Sequence, residues 1–550
     1  MNISSKSPSW LYPDNNPPWF NPEMPEAEFC TLGRMLERTA TQRPDKIFVV
    51  FEDGSELTYA EMLAETQRCS LALRELGVKK GDHVLAWLPN GREMLTVWFG
   101  ANYIGAVFVP INSSYKGSVL AHVINNSGSS LMVAHAKLID RLQGLKFDNL
   151  NTVIAIGNCT ERIAGINVLP QATLKTVDSS QVQAEPVEPW DIQSIIYTSG
   201  TTGPSKGVLS PYFHLYTTST LLYGYMGEDD RILVNLPMFH VGGTASITCA
   251  LVRGASLALV EGFKTSEFWS ELKRFGCTTT CGLIGAMGSF LAKAKPTPND
   301  KDNDLNMISM FPINKETISL AERFAFDYTT GFNMTEASVP LIAEINSTVF
   351  GGCGKPRTGV ECRIVDENDI EVPPGQVGEM IIRSDLPWTM NAGYNNMPEA
   401  TARAWQNGWF HTGDAFRQDE SGNFFFVDRL KDTIRRRGEN ISSVEVEMDV
   451  ISHSSVAEAA AIGVSVGGGE EEILVAVVPS EGKTFDPSKL MDYLMPRMTH
   501  FMLPRFIRVV DELPKTPTNK VRKNLFREDG ITEDTWDREK AGVVVKRERL

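Results

Sequence analysis

The sequence predicts an α/β protein. A large N-terminal domain of mostly parallel sheets in several layers, with a small β-rich subdomain, is followed by a small α+β C-terminal domain. Three observations predict this. Apolar runs of strand length alternate with stretches of helical spacing as far as about residue 330, the pattern of parallel strands joined by crossover helices. From Gly351 the texture changes to short β-rich runs separated by Gly and Pro turns. A charged stretch, Asp428-Arg429-Leu430-Lys431-Asp432, then precedes a mixed segment of about 110 residues, an ordinary domain size.

Each element follows from local chemistry. Pro8, Pro13, Pro17, Pro18, Pro22 and Pro25 mark residues 1–30 as an irregular arm. Thr31 is placed to start a helix over 31–41, with Leu32, Met35 and Leu36 on one face. Residues 46–51 are a β-rich run. Thr58 then caps a helix over 59–76 that stops at Gly77. A buried strand over 82–88 and a helix over 92–104 continue the alternation. The uncharged stretch from Gly207 to Gly227 is full of Ser, Thr, Tyr and His, so it reads as buried or site-facing rather than as a membrane span. Strands at 361–365 and 378–383 flank Pro373-Pro374-Gly375. Residues 444–451, 457–464, 473–478 and 488–495 supply the C-terminal unit, and 528–550 reads as a loosely held charged tail.

A chain of 550 residues buries a large core without disulfides or a structural metal. Lys and Arg number 53 against 68 Asp and Glu, a formal charge of −15. Such a field repels phosphate backbones and anionic membranes, which argues against a general nucleic-acid binder. The eight cysteines are scattered, with no Cys-x-x-Cys pair. They read as buried thiols of a reducing compartment, the cytoplasm.

The most informative stretch is Tyr197-Thr198-Ser199-Gly200-Thr201-Thr202-Gly203-Pro204-Ser205-Lys206-Gly207, which follows an apolar strand. Glycines let a backbone approach phosphate and point its N–H groups inward, hydroxyls add donors, and the lysine meets phosphate charge. It is not a Walker loop, since the Gly-Lys-Ser/Thr spacing is missing. On composition alone it also reads as a flexible polar turn.

The run resembles the signature loop of the adenylate-forming superfamily of acyl-CoA synthetases, peptide-synthetase adenylation domains and luciferases. Five further segments agree in the family's order: Pro237-Met238-Phe239-His240, Phe332-Asn333-Met334-Thr335-Glu336, Trp409-Phe410-His411-Thr412-Gly413-Asp414, Asp428-Arg429-x-Lys431-Asp432 with Gly438 and Glu445 behind it, and Pro514-Lys515-Thr516-Pro517-Thr518-Asn519-Lys520. The resemblance implies an ATP-dependent ligase that converts a carboxylic acid to an acyl-adenylate and then transfers the acyl group to the thiol of CoA. It implies a large domain over 31–427, a hinge at 428–432 centred on Lys431, and a mobile small domain over 433–550.

By the same resemblance, Lys520 bridges carboxylate and α-phosphate, Glu336 holds Mg²⁺, and Thr335 donates to the α-phosphate. Thr198, Ser199, Gly200, Thr201, Thr202, Gly203 and Lys206 cradle ATP. Phe332 packs on adenine, while Asp414 and Arg429 hold the ribose. His240, Asn333 and Gly438 line the acyl and CoA tunnel. The run Arg435-Arg436-Arg437 reads in two ways, as a contact for CoA phosphates near the tunnel mouth or as the solvated face of a β-ribbon. Without the resemblance, Lys520 is a solvated lysine, His240 a core histidine and Phe332 simply core. Asn333 departs from the family's Gly and adds an amide where an acyl group would pass. Ser309-Met310-Phe311-Pro312-Ile313 and Arg436-Arg437-Gly438-Glu439-Asn440 look closer to the carnitine/crotonobetaine-CoA ligase branch. Two other readings stand beside this one: loading of a carrier-protein pantetheine, and a non-catalytic nucleotide-binding scaffold.

Overall fold

The computed structural model describes residues 25–174, 182–198, 204–284, 287–430, 432, 434–436, 439–441, 443–466, 471–498, 502–515 and 520–543. They divide into two compact units: residues up to Thr198, Pro204–Cys362 and Ile382–Gly408 in one, Arg363–Ile381 and residues from Trp409 onward in the other.

The first unit is built on two sheets. The larger has seven strands in the order Asn167–Pro170, Thr152–Ile156, Leu131–His135, His83–Trp87, Val107–Pro110, Ile192–Thr198, Lys206–Pro211. All its pairs are parallel except the last, an antiparallel hairpin. The second sheet orders Thr279–Thr280, Arg231–Val234, Ser256–Leu259 and Ile47–Phe51 in parallel, with Glu56–Thr58 antiparallel at its edge.

Side-chain alternation explains why these strands are apolar throughout. Val84, Ala86 and Phe108 point into one core, whereas Leu85, Trp87, Val107 and Val109 point into another. The first of these cores also receives Val49, Phe51, Ile232 and Leu257 from the second sheet, so it lies between the two sheets. Val50, Leu233 and Ala258 face a third core with Phe268, Leu272 and Leu320. Sheets buried on both faces need residues apolar at every position, and each fully buried Phe or Leu contributes about 1.5–3 kcal/mol.

The expected helices form close to their predicted limits, as Leu32–Gln42, Tyr59–Glu75 and Arg92–Tyr103. Thr58 does cap the second of these, in a reciprocal capping box with Glu61. Thr31 precedes the first but donates its hydroxyl to the Ala27 carbonyl instead of capping.

The second unit holds the antiparallel pair Trp409–Gln418 and Phe424–Arg429, the antiparallel pair Ile434–Arg436 and Glu439–Ile441, and a four-stranded sheet. That sheet runs Val456–Ser465, Glu471–Pro479, Phe506–Val509, Trp536–Asp537. Its last strand corrects the expectation of a loose tail. Trp536 and Asp537 pair with Ile507 and Phe506, and Arg505 reaches Asp537 at 3.4 Å and Glu539 at 3.1 Å. Among the described residues no helix is long and apolar enough to cross a membrane.

Candidate active site

In open α/β folds, ligands bind beyond the carboxyl ends of parallel strands, and the first unit places Thr198 at such an end. Thr198 ends its strand directly opposite Lys206; Ser199, Gly200, Thr201, Thr202 and Gly203, between them, lie outside the described residues. The Lys206 amine stands 4.7 Å from the centre of the Tyr394 ring. The Tyr394 hydroxyl donates to Glu336 Oε1 at 3.0 Å, in a site where Glu336 is buried. The backbone carbonyl of Glu336 accepts from the Asn391 backbone N–H at 3.0 Å and from its side-chain amide at 2.8 Å.

Lys206 and Glu336 are therefore joined by a strap that the motifs did not single out. Ala392 donates to the Leu209 carbonyl, Leu209 to that of Gly393, and Asn395 to that of Gly207. Gly393 has φ +108°, and a Cβ there would stand 2.8 Å from the Thr401 methyl, so the strap can pass only with glycine.

Phe332 lies half-buried on the strand Gly331–Met334, paired with Leu341, and half-buried Thr335 follows in the connection to Ala337–Ile342. Asn333 spends its amide oxygen locally, accepting from the Val339 N–H at 3.0 Å. Val339 has φ +43°, a region costly for a β-branched residue. Buried Arg357 donates to the Val339 carbonyl at 3.0 Å and to that of Ser338 at 3.2 Å. His240 precedes the helix Val241–Arg253, with its ring 5.0 Å from that of Phe239. The turn before it is stapled by Asn90, which accepts from the Met238 N–H at 2.8 Å and donates to the Leu236 carbonyl at 3.0 Å.

In the second unit, Asp414 is fully buried and its carboxylate lies 2.8 Å from Arg429 Nε. Its neighbours are held as firmly. Glu379 accepts from the Gly413 N–H at 2.8 Å and meets His411 Nδ1 at 3.1 Å, while the Thr412 hydroxyl donates to the Met380 carbonyl at 2.6 Å. Gly413 itself has φ +68°.

Asp428 turns inward, accepting from the Ser443 N–H at 2.7 Å and from the Arg429 N–H at 2.7 Å. Lys523 contacts the Ser443 hydroxyl and lies 2.7 Å from Glu447, whose carboxyl burial raises in pKa. Arg527 meets Asp432 at 2.8 Å. Lys520 is exposed. Lys431, Gly438, Asn519 and Arg437, with the side chains of Arg435 and Glu445, lie outside the described residues. Arg436 departs from the expected CoA contact: it is 2% exposed and ion-paired with buried Glu472 at 2.6 Å, and it donates to the Leu503 carbonyl at 3.1 Å. It is a core residue.

Within the first unit, then, a buried carboxylate accepts from a tyrosine whose ring a lysine faces, and within the second a buried carboxylate is paired with an arginine. Residues 36–394 match the family model of the AMP-binding enzymes, and 445–520 match that of the AMP-binding enzyme C-terminal domain. The chain belongs to the AMP-binding enzyme family. It is 30% identical to a crotonobetaine/carnitine–CoA ligase from Salmonella arizonae over 90% of this chain and 98% of the relative. In fold it is similar to the anthranilate CoA ligase AuaEII in complex with anthranoyl-AMP, with a TM-score of 0.80, 24% identity, and 91% and 97% of the two chains covered. An o-succinylbenzoate CoA synthetase from Bacillus subtilis, in complex with ATP and magnesium ion, gives a TM-score of 0.76 at 24% identity, with 89% and 98% covered.

Members of this family use ATP and CoA. Tyr394, Asn391, Glu379 and Ser443 were missed because none stands inside a motif. The signal available for Tyr394 was its place after Gly393 in an Asn-rich turn (Asn391, Asn395, Asn396).

Proposed function

We propose that this AMP-binding enzyme is an AMP-forming acid–CoA ligase. It joins a carboxylic acid to ATP as an acyl-adenylate with loss of pyrophosphate, then forms the CoA thioester with loss of AMP. The observation that carries the reading is the end-to-end relationship with ligases named for this reaction, together with Lys206, Glu336, Asp414 and Lys520 in one chain. A scaffold that only bound nucleotide would have no use for Lys520.

Chemically, a carboxylate oxygen forms a bond to the α-phosphorus as the bond to pyrophosphate breaks. The thiolate sulfur then attacks the acyl carbon, and the electron pair leaves with AMP. The protein's task is to hold two anions together and neutralise the charge that develops. Lys520 supplies that charge at the reacting oxygens, with Thr335 as a donor to the α-phosphate. Thr198, Ser199, Gly200, Thr201, Thr202, Gly203 and Lys206 hold the outer phosphates. Asp414 accepts from the ribose hydroxyls, Arg429 steadies it, and Phe332 packs on adenine.

Mg²⁺, when bound with ATP, withdraws charge from the phosphates. Its small, oxygen-seeking ion typically takes one or two carboxylates beside phosphate oxygens, and the buried carboxylate of Glu336 fits that donor set. Among the described residues no group of three His, Cys, Asp or Glu side chains forms a separate metal cage.

His240 and Asn333 border the acyl passage, and Gly438 the thiol tunnel. A small domain of 433–550 turns about a hinge at 428–432 between the two half-reactions, and 31–427 form the large domain; of the arm expected over 1–30, residues 1–24 lie outside the described residues and Ala27–Cys30 form a short helix. The reaction runs in the cytoplasm, a reading that rests on eight scattered cysteines with no Cys-x-x-Cys pair.

Exchange of labelled pyrophosphate into ATP, run over a panel of carboxylic acids that includes trimethylammonium acids, tests the first step and identifies the acid. AMP release on adding CoA tests the second. Lys520→Ala should lose at least about 100-fold in exchange while still converting supplied acyl-adenylate to thioester. Equal loss in both halves would contradict the assignment.

A further inference from the structure

We propose that Tyr394 is a positioning residue that couples the phosphate-binding lysine to the metal-binding carboxylate. This rests on the reading of Glu336 as the carboxylate that holds Mg²⁺. The tyrosine is buried at 7% exposure, yet both of its chemical faces are engaged by charged groups. Its hydroxyl donates to Glu336 Oε1 at 3.0 Å, and the Lys206 amine sits 4.7 Å from its ring centre. A tyrosine that served only the core would need a single neutral acceptor for its hydroxyl.

The backbone around it is fixed from both sides. Asn391 carries two hydrogen bonds to the Glu336 carbonyl, and Tyr394 bridges to Val208, two residues beyond Lys206. The Tyr394 N–H donates to the Thr401 hydroxyl at 2.9 Å. A change at either charged residue is thus felt through one rigid ring.

The physical role follows from the geometry. A glutamate side chain has three rotatable bonds, and a metal shared with phosphate oxygens needs its carboxylate presented in one orientation. The tyrosine hydroxyl selects that orientation before the metal arrives, which lowers the ordering cost of binding. The ring also gives Lys206 a face to rest on through a cation–π contact, so the ammonium is held near the phosphate path.

Tyr394→Phe keeps the ring and removes only the hydroxyl. The Mg²⁺ concentration for half-maximal pyrophosphate exchange should rise about tenfold, the size expected for a hydrogen bond to a charged group. The maximal exchange rate at saturating Mg²⁺ should change less than about twofold by the same argument. Mn²⁺ affinity in the presence of a non-hydrolysable ATP analogue, read by electron paramagnetic resonance without turnover, should weaken by the same factor. Tyr394→Leu should add a rise in the KM for ATP. Wild-type Mn²⁺ affinity in Tyr394→Phe would overturn the proposal. Glu336→Gln separates the two levels: if it weakens Mn²⁺ binding while Tyr394→Phe does not, the tyrosine's role alone fails. If neither variant weakens it, the reading of Glu336 fails as well.

Discussion

Arg429 Nε lies 2.8 Å from a carboxylate oxygen of Asp414, and the two residues stand directly opposite each other across an antiparallel pair. Register alone brings them together, because side chains facing each other across such a pair are within reach. Asp414 is fully buried while Arg429 is 40% exposed, so the carboxylate is the fixed partner and the arginine the adjustable one. Asp414→Asn keeps the shape and removes the charge. ATP affinity should fall about 10- to 100-fold, as for the loss of hydrogen bonds to a charged acceptor. Arg429→Lys should retain more affinity than Arg429→Met. Titration of each variant with ATP in the absence of acid checks the ranking.

Asn333 stands at the proposed acyl passage, and its oxygen accepts from the Val339 N–H. Replacing it with glycine therefore does two things. It opens space beside the connection, and it leaves a strained, β-branched residue without its cap. Asn333→Gly should broaden acyl preference with a smaller effect on ATP affinity. It should also speed amide hydrogen exchange at Val339 about tenfold, the equivalent of one ordinary hydrogen bond. Asn333→Asp keeps the acceptor and should leave that exchange slow.

What the sequence disclosed was local or carried by motifs. The Thr58 cap with Glu61 is legible because both partners sit within one helical turn. The alternation of Val84, Leu85, Ala86 and Trp87 between two cores is legible because a strand apolar at every position must be buried on both faces. Tyr394 was not legible, since its partner Glu336 lies 58 residues away and an aromatic residue in a turn carries no sign of what its hydroxyl meets. Arg436 failed for the opposite reason. Three consecutive arginines look solvated, but strand pairing turns alternate residues to opposite faces, and the middle one faces Glu472 in the core. The charged C-terminal stretch misled in the same way, since Asp537 is charged and nevertheless joins a sheet edge.

The Arg436–Glu472 pair is 2.6 Å apart, with exposures of 2% and 7%. Removing one member of such a pair leaves an uncompensated charge in the interior, a cost of about 3–5 kcal/mol, whereas replacing both with apolar groups is close to neutral. Arg436→Met should strongly lower the unfolding temperature of the second unit, and adding Glu472→Leu should recover most of the loss. Arg435→Gln with Arg437→Gln, by contrast, should raise the KM for CoA several-fold without slowing acyl-adenylate formation. An unchanged KM in that pair of substitutions would remove these arginines from the CoA site.

His214 supplies a pH dependence of stability that is separate from the chemistry. It lies buried in the helix Tyr212–Leu222, with Nδ1 3.1 Å from the Ser210 hydroxyl. Desolvation is the main cause that pushes its pKa down from 6.5 to about 4, with a backbone hydrogen bond at Ala337 acting in the opposite direction. Between those values the unfolded chain holds a proton that the folded chain does not. Stability from this group is therefore complete above about pH 6.5 and is lost as the pH falls toward 4, by about 3 kcal/mol across the window. His214→Leu removes the titration but also the Ser210 contact, so it should be less stable than the parent at pH 7.5 and flatter in its dependence below. Urea unfolding midpoints of the first unit at half-unit steps from pH 4.5 to 7.5 would show this. Equal slopes in the two proteins would mean that another group sets the acid limit.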